Sequence, residues 1–583
     1  MASKTGVNAT KTLKVIVIGC LAGGAAAACR VRRISEDAEI ICIEKSAFPS
    51  FGSCGMPYVA GNTIEGGVDS LVVTSADTLI NRFGVDLRLE QTVTAVDRAS
   101  KTITVATKDG KTYTEAYDKL VMSTGTRPFI PPIKGLESGL PENVTGLLTP
   151  TDLASLIKLR DDGAKRCFVI GGGFIGVETA EQLAKLGLDV TICDMLPFVM
   201  NAVYDDDVAP ALTKALEDTG VKTILGAVVE SIEVSGGRAV SVTVKGRDAI
   251  PVDAVVMAAG NRPNSELATG MTLGPRGHIA VNEHMQTSDP DVYAVGDVVT
   301  VPHLVLGESW VPLAGPAQRQ GRVAAGHIAG GLPDTYKGTM ATSVIRVGAV
   351  VGASTGASER ALRMAGWKQW CGYSPLSEAT KDDDKAYSVV YTHNGTHVGY
   401  YPGSVPLHAK LIFHPTSGRI LGAQIVSDDT AARRIDVIAT AIKGGLTVED
   451  LEETDLAYAP EFGSPKDAIT MPGFVASGIM RGTQQGMPMT MLVKHLDELK
   501  AAGTVLDVRS AGELEACNLG EGVLNINVDE LRGRLSDVPQ DKPVFVFCRV
   551  GFRGYVAQRI LEANGYEAYN GFGGMCSVQF TSY

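Results

Sequence analysis

Twice in this chain a short apolar run leads into a glycine-rich turn, a helical stretch, a second apolar run and an acid. Runs that are apolar throughout, rather than alternating, suit strands buried on both faces of a parallel sheet. The turn between strand and helix needs glycine for its tightness and for close packing of helix on strand. The complete copy has a strand at Arg166–Ile170, the turn Gly171-Gly-Gly173-Phe-Ile175-Gly176, a helix through Lys185, and a strand from Asp189 to Cys193 that ends at Asp194. The other copy has a strand at Lys14–Ile18, the turn Gly19-Cys-Leu21-Ala22-Gly23-Gly24, an Ala-rich helix, and a strand from Glu39 to Ile43 followed by Glu44 and Lys45. There Gly19 and Gly24 fill the first and last glycine places, and Leu21 stands in the middle one. Each unit sets a helix N-terminus, which holds a pyrophosphate, beside an acid that binds a ribose hydroxyl. Asp194 favours a free 2′-hydroxyl, and Met195, Leu196 and Pro197 bring no cation for a 2′-phosphate, so NADH is expected before NADPH.

Length and composition agree with an α/β protein of several domains. A chain of 583 residues holds roughly three to five domains. Its 66 glycines suit many tight strand–helix turns, and its net charge of -12 argues against nucleic acid as a partner. Ten cysteines stand without a paired framework or a metal-type Cys-x2-Cys pair, which points to reduced thiols in a reducing compartment. No apolar segment is long enough to span a bilayer and no signal peptide precedes the first strand, so a cytoplasmic protein without a membrane partner is expected.

One cysteine lies where chemistry is expected, in Ser50-Phe-Gly-Ser53-Cys54-Gly-Met-Pro-Tyr58, just after the first nucleotide-binding unit. A free cysteine most often packs as a small hydrophobe. This one sits in a Gly/Pro-punctuated turn before a helical run, where the helix dipole is expected to lower its pKa and make it a nucleophile. The next cysteine is Cys167, so Cys54 has no local disulfide partner and must cycle through a mixed disulfide, a persulfide or a sulfenic acid. Ser123-Thr124-Gly125-Thr-Arg-Pro128 and Ala259-Gly260-Asn-Arg-Pro263 are similar strand-to-turn crossings.

The string Thr287-Ser-Asp-Pro290-Asp-Val-Tyr293-Ala-Val-Gly296-Asp297 resembles the second FAD motif of the pyridine nucleotide-disulfide oxidoreductases. Lys14 to about Thr470 resembles that superfamily throughout. The Cys54 string, Leu313-Ala314-Gly-Pro-Ala-Gln-Arg-Gln-Gly-Arg322, Tyr400-Tyr401-Pro402-Gly403 and Arg433-Arg-Ile-Asp-Val437 resemble its coenzyme A-disulfide reductase branch. The resemblance implies FAD bound at Gly19 to Gly24, Glu44, Lys45, Ser53, Thr124, Gly125, Gly260, Gly296, Leu313 and Ala314, with Asp297 on the ribityl chain. It implies NADH at Gly171, Gly173, Ile175, Gly176 and Asp194, and coenzyme A disulfide-bonded to Cys54 near Ser50. The cluster Arg30, Arg32 and Arg33 offers cations for coenzyme A phosphates, with Arg30 chosen, although a solvated helix face accounts for it equally well. The implied domains are FAD-binding (11–150 and 253–330), NAD-binding (151–252) and dimerisation (337–470), the last reading as alternating strands. In a homodimer, tyrosines from the partner subunit would protonate the leaving thiolate, the candidates being Tyr458 and either Tyr400 or Tyr401. Four features bear on the chemistry. The redox disulfide and the late His-Pro motif of glutathione-type reductases are both missing, with no histidine between His414 and His495. Single-cysteine NADH oxidases and peroxidases carry a histidine in the first turn where this chain has Ala22, which weighs against oxygen chemistry. Ser53 before Cys54 is nonetheless as in those oxidases, and the site of a second tyrosine is Phe462.

Residues 471–490 read as a linker. Beyond it, a strand from Pro543 to Phe547 runs into Cys548-Arg549-Val-Gly551-Phe-Arg553-Gly-Tyr555 and a helix. A cysteine opening such a loop sees converging N–H groups, which stabilise a thiolate or a persulfide anion. With Asp507-Val-Arg509-Ser510, this loop resembles a rhodanese domain over 491–583. That implies Cys548 as sulfur-carrying nucleophile, Arg549, Gly551 and Arg553 around the substrate, and Asp507 and Arg509 in structural roles. Cys517-Asn-Leu replaces the usual Gly-His-Ile. A phosphatase loop has Cys-x5-Arg, whereas Cys548 and Arg553 are one residue closer and Gly554 fills the arginine slot. The expected fold is thus α/β: two Rossmann-like domains, an α+β dimerisation domain and an α/β rhodanese domain. The expected activity is flavin-dependent reduction by NADH of coenzyme A disulfide, coenzyme A persulfide or polysulfide at Cys54, with a fused sulfurtransferase. The alternatives are an NADH oxidase or peroxidase working through a sulfenic acid, and a sulfur-carrying or redox-sensing sulfurtransferase.

Overall fold

The computed structural model describes residues 12–578, so position 11 and positions 579–583 of the expected end domains lie outside the described residues. The chain forms two compact units, one of residues 12–195, 220–303 and 307–339, the other of 196–219, 304–306 and 340–578.

Two five-stranded parallel sheets build the first unit. One has the spatial order Val292–Ala294, Lys119–Met122, Lys14–Ile18, Glu39–Glu44, Asp86–Leu89. The other has the order Lys222–Leu225, Asp189–Asp194, Arg166–Ile170, Ala254–Met257, Val144–Thr145. Val15, Val17, Val169 and Val255 are fully buried, as central strands covered on both faces require. Each sheet is Rossmann-like, and each sends its glycine turn into a helix, Ala22–Ile34 in one and Phe174–Lys185 in the other. The helix Ala22–Ile34 packs on Ala314–Gly330 at a glycine contact, where a Cβ on Gly321 would lie 2.3 Å from the Gly23 carbonyl oxygen. The two crossings expected to be similar pair with each other, Thr126–Pro128 antiparallel to Asn261–Pro263.

The second unit holds a six-stranded sheet in the order Ser343–Val347, Val350–Gly356, Ile420–Ser427, Pro406–Phe413, Ala386–Gly395, Lys368–Gln369. Its central strands do not alternate as the sequence reading expected. Residues 386–392 and 409–413 are buried without a break, and so is all of Ile420–Ser427, because structure covers both faces. One buried position is Lys410, whose ammonium lies 3.0 Å from Asp205, 2.8 Å from Asp207 and 2.7 Å from Glu359. The C-terminal sheet is wholly parallel, in the order Gly486–Pro488, Ala568–Phe572, Val544–Phe547, Thr504–Asp507, Val523–Asn525.

The segment read as a linker is a structural element. Met471–Met480 is a helix whose Ala476 and Ile479 join the core of the six-stranded sheet, and Gly486–Pro488 is the edge strand of the C-terminal sheet. Its glycines and methionines serve close packing, not flexibility: a Cβ on Gly473 would lie 2.8 Å from the Glu452 backbone nitrogen.

Candidate active site

Both glycine turns press the helix so close to the turn that no side chain fits between them. A Cβ on Gly24 would lie 1.9 Å from the Gly19 carbonyl oxygen, and one on Gly176 would lie 1.9 Å from that of Gly171. Leu21 and Gly173, the residues that precede the helices, supply no side-chain cap, which leaves the first-turn N–H groups to an anion. The two acids stand in equivalent places. Glu44 accepts from the Cys20 N–H at 2.9 Å and Asp194 from the Gly172 N–H at 2.5 Å. Gly296, at φ 82°, donates its N–H to Gln320 Oε1 at 2.7 Å, and burial pushes the neighbouring Asp297 carboxyl up to about 6. Thr124 and Asn264 exchange two hydrogen bonds, Thr124 Oγ1 to the Asn264 carbonyl at 2.7 Å and Asn264 Nδ2 to the Thr124 carbonyl at 2.9 Å, which pins the turn at Gly125. Gly260 shapes the crossing opposite with φ 108°. Leu313 and Ala314 begin the helix Ala314–Gly330, and Lys45 projects into solvent after Glu44. These groups fit two dinucleotides.

Cys54 occupies a single 3₁₀ turn, Ser53–Gly55, followed by the one-turn helix Met56–Ala60. Ser50 before it is held at φ 48° while its N–H donates to the Cys20 carbonyl, tying the cysteine turn to the first glycine turn. Met56–Ala60 packs against Phe174–Lys185, where Tyr58 donates to Glu178 Oε1 at 2.9 Å. The thiol does not have the depressed pKa expected of it. Cys54 as a residue is exposed, yet enough protein surrounds the sulfur that desolvation, then the Glu178 and Asp297 carboxylates, raise it above the ordinary thiol value. A one-turn helix has too little dipole to outweigh that burial and two nearby acids. Glu178 is itself pushed up to about 7, by burial first and then by Glu181, with Tyr58 opposing. Sequence reasoning missed Tyr58 and Glu178. Tyr58 closes the cysteine string and Glu178 lies in the helix that runs through Lys185, where the signal was an acid two residues past the last glycine of the turn.

The arginine cluster separates into roles. Arg32 donates to the carbonyls of Phe83, Glu36 and Gly84, and Arg33 to that of Cys29 at 3.0 Å, whereas Arg30 keeps a buried Nε with no hydrogen-bond partner. The tyrosines separate as well. Tyr400 and Tyr458 are exposed with their hydroxyls 3.4 Å apart, while Tyr401 donates to Glu461 at 3.2 Å. Phe462 lies exposed nearby in sequence.

Cys548 is fully buried at the end of Val544–Phe547, and the Gly551 N–H donates to its sulfur at 3.1 Å. Gly551, at φ 92°, begins the helix Phe552–Ala563. Asp507 and Arg509 form a buried ion pair, Nη2 to Oδ2 at 2.7 Å, in the structural role expected. Arg553, expected at the substrate, instead spends two donors on Glu513, at 2.8 and 2.6 Å, and this pairing holds the Glu513 carboxyl down at about 2. Arg549 turns to Cys576, a thiol that sequence reasoning did not single out. Among the described residues no group of His, Cys, Asp and Glu could hold a metal ion, and no helix is long and apolar enough to cross a membrane.

Residues 13–321 match the pyridine nucleotide-disulphide oxidoreductase family, and residues 353–468 match its dimerisation domain. This chain belongs to that family of enzymes. An NADH oxidase of Methanocaldococcus jannaschii is 34% identical over 79% of this chain and 97% of its own. A coenzyme A disulfide reductase of Staphylococcus aureus is 30% identical over 79% of this chain and 99% of its own. Two solved structures span almost the whole chain. Reduced Bacillus anthracis CoADR-RHD is 37% identical with a TM-score of 0.90, covering 98% of this chain and 99% of its own. An NAD-dependent persulfide reductase from A. fulgidus is 34% identical with a TM-score of 0.85, covering 97% and 100%.

Proposed function

We propose that the chain is a flavin-dependent NADH:disulfide or persulfide reductase acting through Cys54, with a C-terminal sulfurtransferase domain that handles sulfane sulfur on Cys548. The observation that carries this is the lone thiol on a turn tied to the first glycine turn and packed, through Tyr58 and Glu178, on the helix of the second. Bound FAD would supply the two-electron redox chemistry that links NADH to the sulfur of Cys54. The turn at Gly171 to Gly176 and Asp194 orient NADH. Glu44, Asp297 and the turn at Gly19 to Gly24 hold FAD, and Arg30 attracts the phosphates of coenzyme A. Cys54 holds the substrate sulfur as a mixed disulfide, and once freed it attacks the next disulfide or persulfide. Tyr400 and Tyr458 serve the partner subunit's site in a homodimer, donating to the departing thiolate. The substrates are coenzyme A disulfide, coenzyme A persulfide or polysulfide, and Cys548 passes sulfur toward Cys54 as a persulfide.

Anaerobic NADH oxidation tests this, with coenzyme A disulfide and polysulfide supplied separately to wild type, Cys54→Ser and Cys548→Ser. Cys54→Ser is expected to lose turnover with both substrates, and Cys548→Ser with polysulfide alone. Full polysulfide reduction by Cys54→Ser refutes the scheme. The relative named an NADH oxidase favours a second reading, a Cys54 sulfenic acid formed with oxygen. That reading predicts rapid NADH loss with oxygen alone, and Ala22, where those enzymes carry a histidine, speaks against it.

A further inference from the structure

The turn after the last strand of the C-terminal sheet brings a second thiol to the Cys548 loop. Gly573 and Gly574 have φ of 77° and 57°, and a Cβ on Gly574 would lie 2.4 Å from the Cys548 carbonyl oxygen. This approach is open to glycine alone. It lays the next two residues along the nucleophile, so that the Met575 N–H donates to the Cys548 carbonyl and the Cys576 N–H to the Arg549 carbonyl, each at 2.9 Å. The Ser577 hydroxyl folds back onto the Gly574 carbonyl at 2.8 Å and closes the turn. The Cys576 side chain is partly exposed. It hydrogen-bonds the Arg549 side chain and interacts electrostatically with Cys548.

We propose that Cys576 is a resolving thiol for the Cys548 persulfide, which lets the C-terminal domain release hydrosulfide without Cys54. The proposal rests on the reading of Cys548 as a sulfur carrier. The Cys548 thiolate takes one sulfur atom from a polysulfide, becomes a persulfide anion and leaves the donor one sulfur shorter. The Cys576 sulfur then attacks the inner sulfur of that persulfide, and the bond from inner to outer sulfur breaks. The Cys576 proton goes to the outer sulfur, which departs as hydrosulfide. Its two electrons come from the two protein thiols, left as a Cys548–Cys576 disulfide. Two molecules of a small thiol reduce that bond and leave as their own disulfide. Cys576 has the proton to give. Burial holds its thiol above the ordinary value, with Cys548 and Glu513 adding to the effect and Arg549 opposing it.

The test treats the full-length protein anaerobically with polysulfide, without NADH or thiol, and maps non-reduced peptides by mass. Wild type is expected to yield the Cys548 and Cys576 peptides joined and two hydrogens lighter, with one hydrosulfide released per chain. Cys576→Ser and Cys576→Ala are expected to lose the joined peptide and the hydrosulfide, and to keep Cys548 one sulfur heavier. If wild type also keeps that heavier peptide with nothing joined, the resolving role falls while the carrier reading stands. If Cys548 gains no sulfur in any of the three, both fall.

Discussion

At single residues the protein sets charge against the chemistry it hosts. Two acids near Cys54 oppose its ionisation, and one of them, Glu178, titrates near neutrality. Glu178→Gln removes that charge and keeps an acceptor for Tyr58. Alkylation of Cys54 by iodoacetamide at pH 7.5 is expected to speed up roughly two- to tenfold, and its pH profile to shift to lower pH. An unchanged profile means that Glu178 does not act on the thiol. The tyrosines make the opposite point. Neighbouring positions divide the work, because Tyr401 is taken by Glu461 while Tyr400 meets Tyr458. Tyr458→Phe is expected to slow turnover of coenzyme A disulfide about 10²-fold or more, leaving reduction of bound flavin by NADH intact in stopped flow.

Among elements, glycine geometry and buried charge carry the most weight. An alanine at 24 or 176 has no room beside the carbonyl oxygen of Gly19 or Gly171. Gly176→Ala is expected to raise the KM for NADH by at least about tenfold with flavin content unchanged, and Gly24→Ala to lower flavin content, read from the visible spectrum. In the six-stranded sheet, burial would lower the pKa of Lys410, but Asp205, Asp207 and Glu359 outweigh it and raise it. Lys410→Met leaves Asp205, Asp207 and Glu359 crowded together without the shared ammonium, Arg363 remaining on Glu359 alone, so a loss of about 3–5 kcal/mol is expected in denaturant titrations. The region 471–490 shows how composition misleads at this scale. Small residues read as flexible, yet here they permit a helix to approach neighbouring backbone within contact distance.

For the molecule as a whole, two buried histidines make stability depend on pH. His393 and His408 share a hydrogen bond between their Nδ1 atoms, and burial lowers both below the ordinary imidazole value, His408 to about 4. The unfolded chain takes up protons on these rings as pH falls below about 6.5, whereas the native chain resists until about 4. Stability is therefore full above that window and declines downward through it, by up to roughly 3 kcal/mol from His408. Denaturation midpoints at pH 7.5 and pH 5 are expected to differ, and His408→Gln to shrink the difference. The match to a dimerisation domain and the exposed tyrosines predict a homodimer in sedimentation analysis.

Local pattern was enough to place both strand–glycine turn–helix units, the Cys54 turn and the strand that leads into Cys548. Apolar runs, glycine turns and closing acids are short-range signals, and the backbone obeys them wherever they stand. Long-range packing decided the rest. Glu178 bonds Tyr58 beside the Cys54 turn, Glu513 claims Arg553, and Cys576 meets the Cys548 loop at Arg549 because residues far apart in the chain meet in the fold, and composition carries no record of such meetings. The same holds for Lys410: its charge reads as a surface residue until three carboxylates from two other segments close over it.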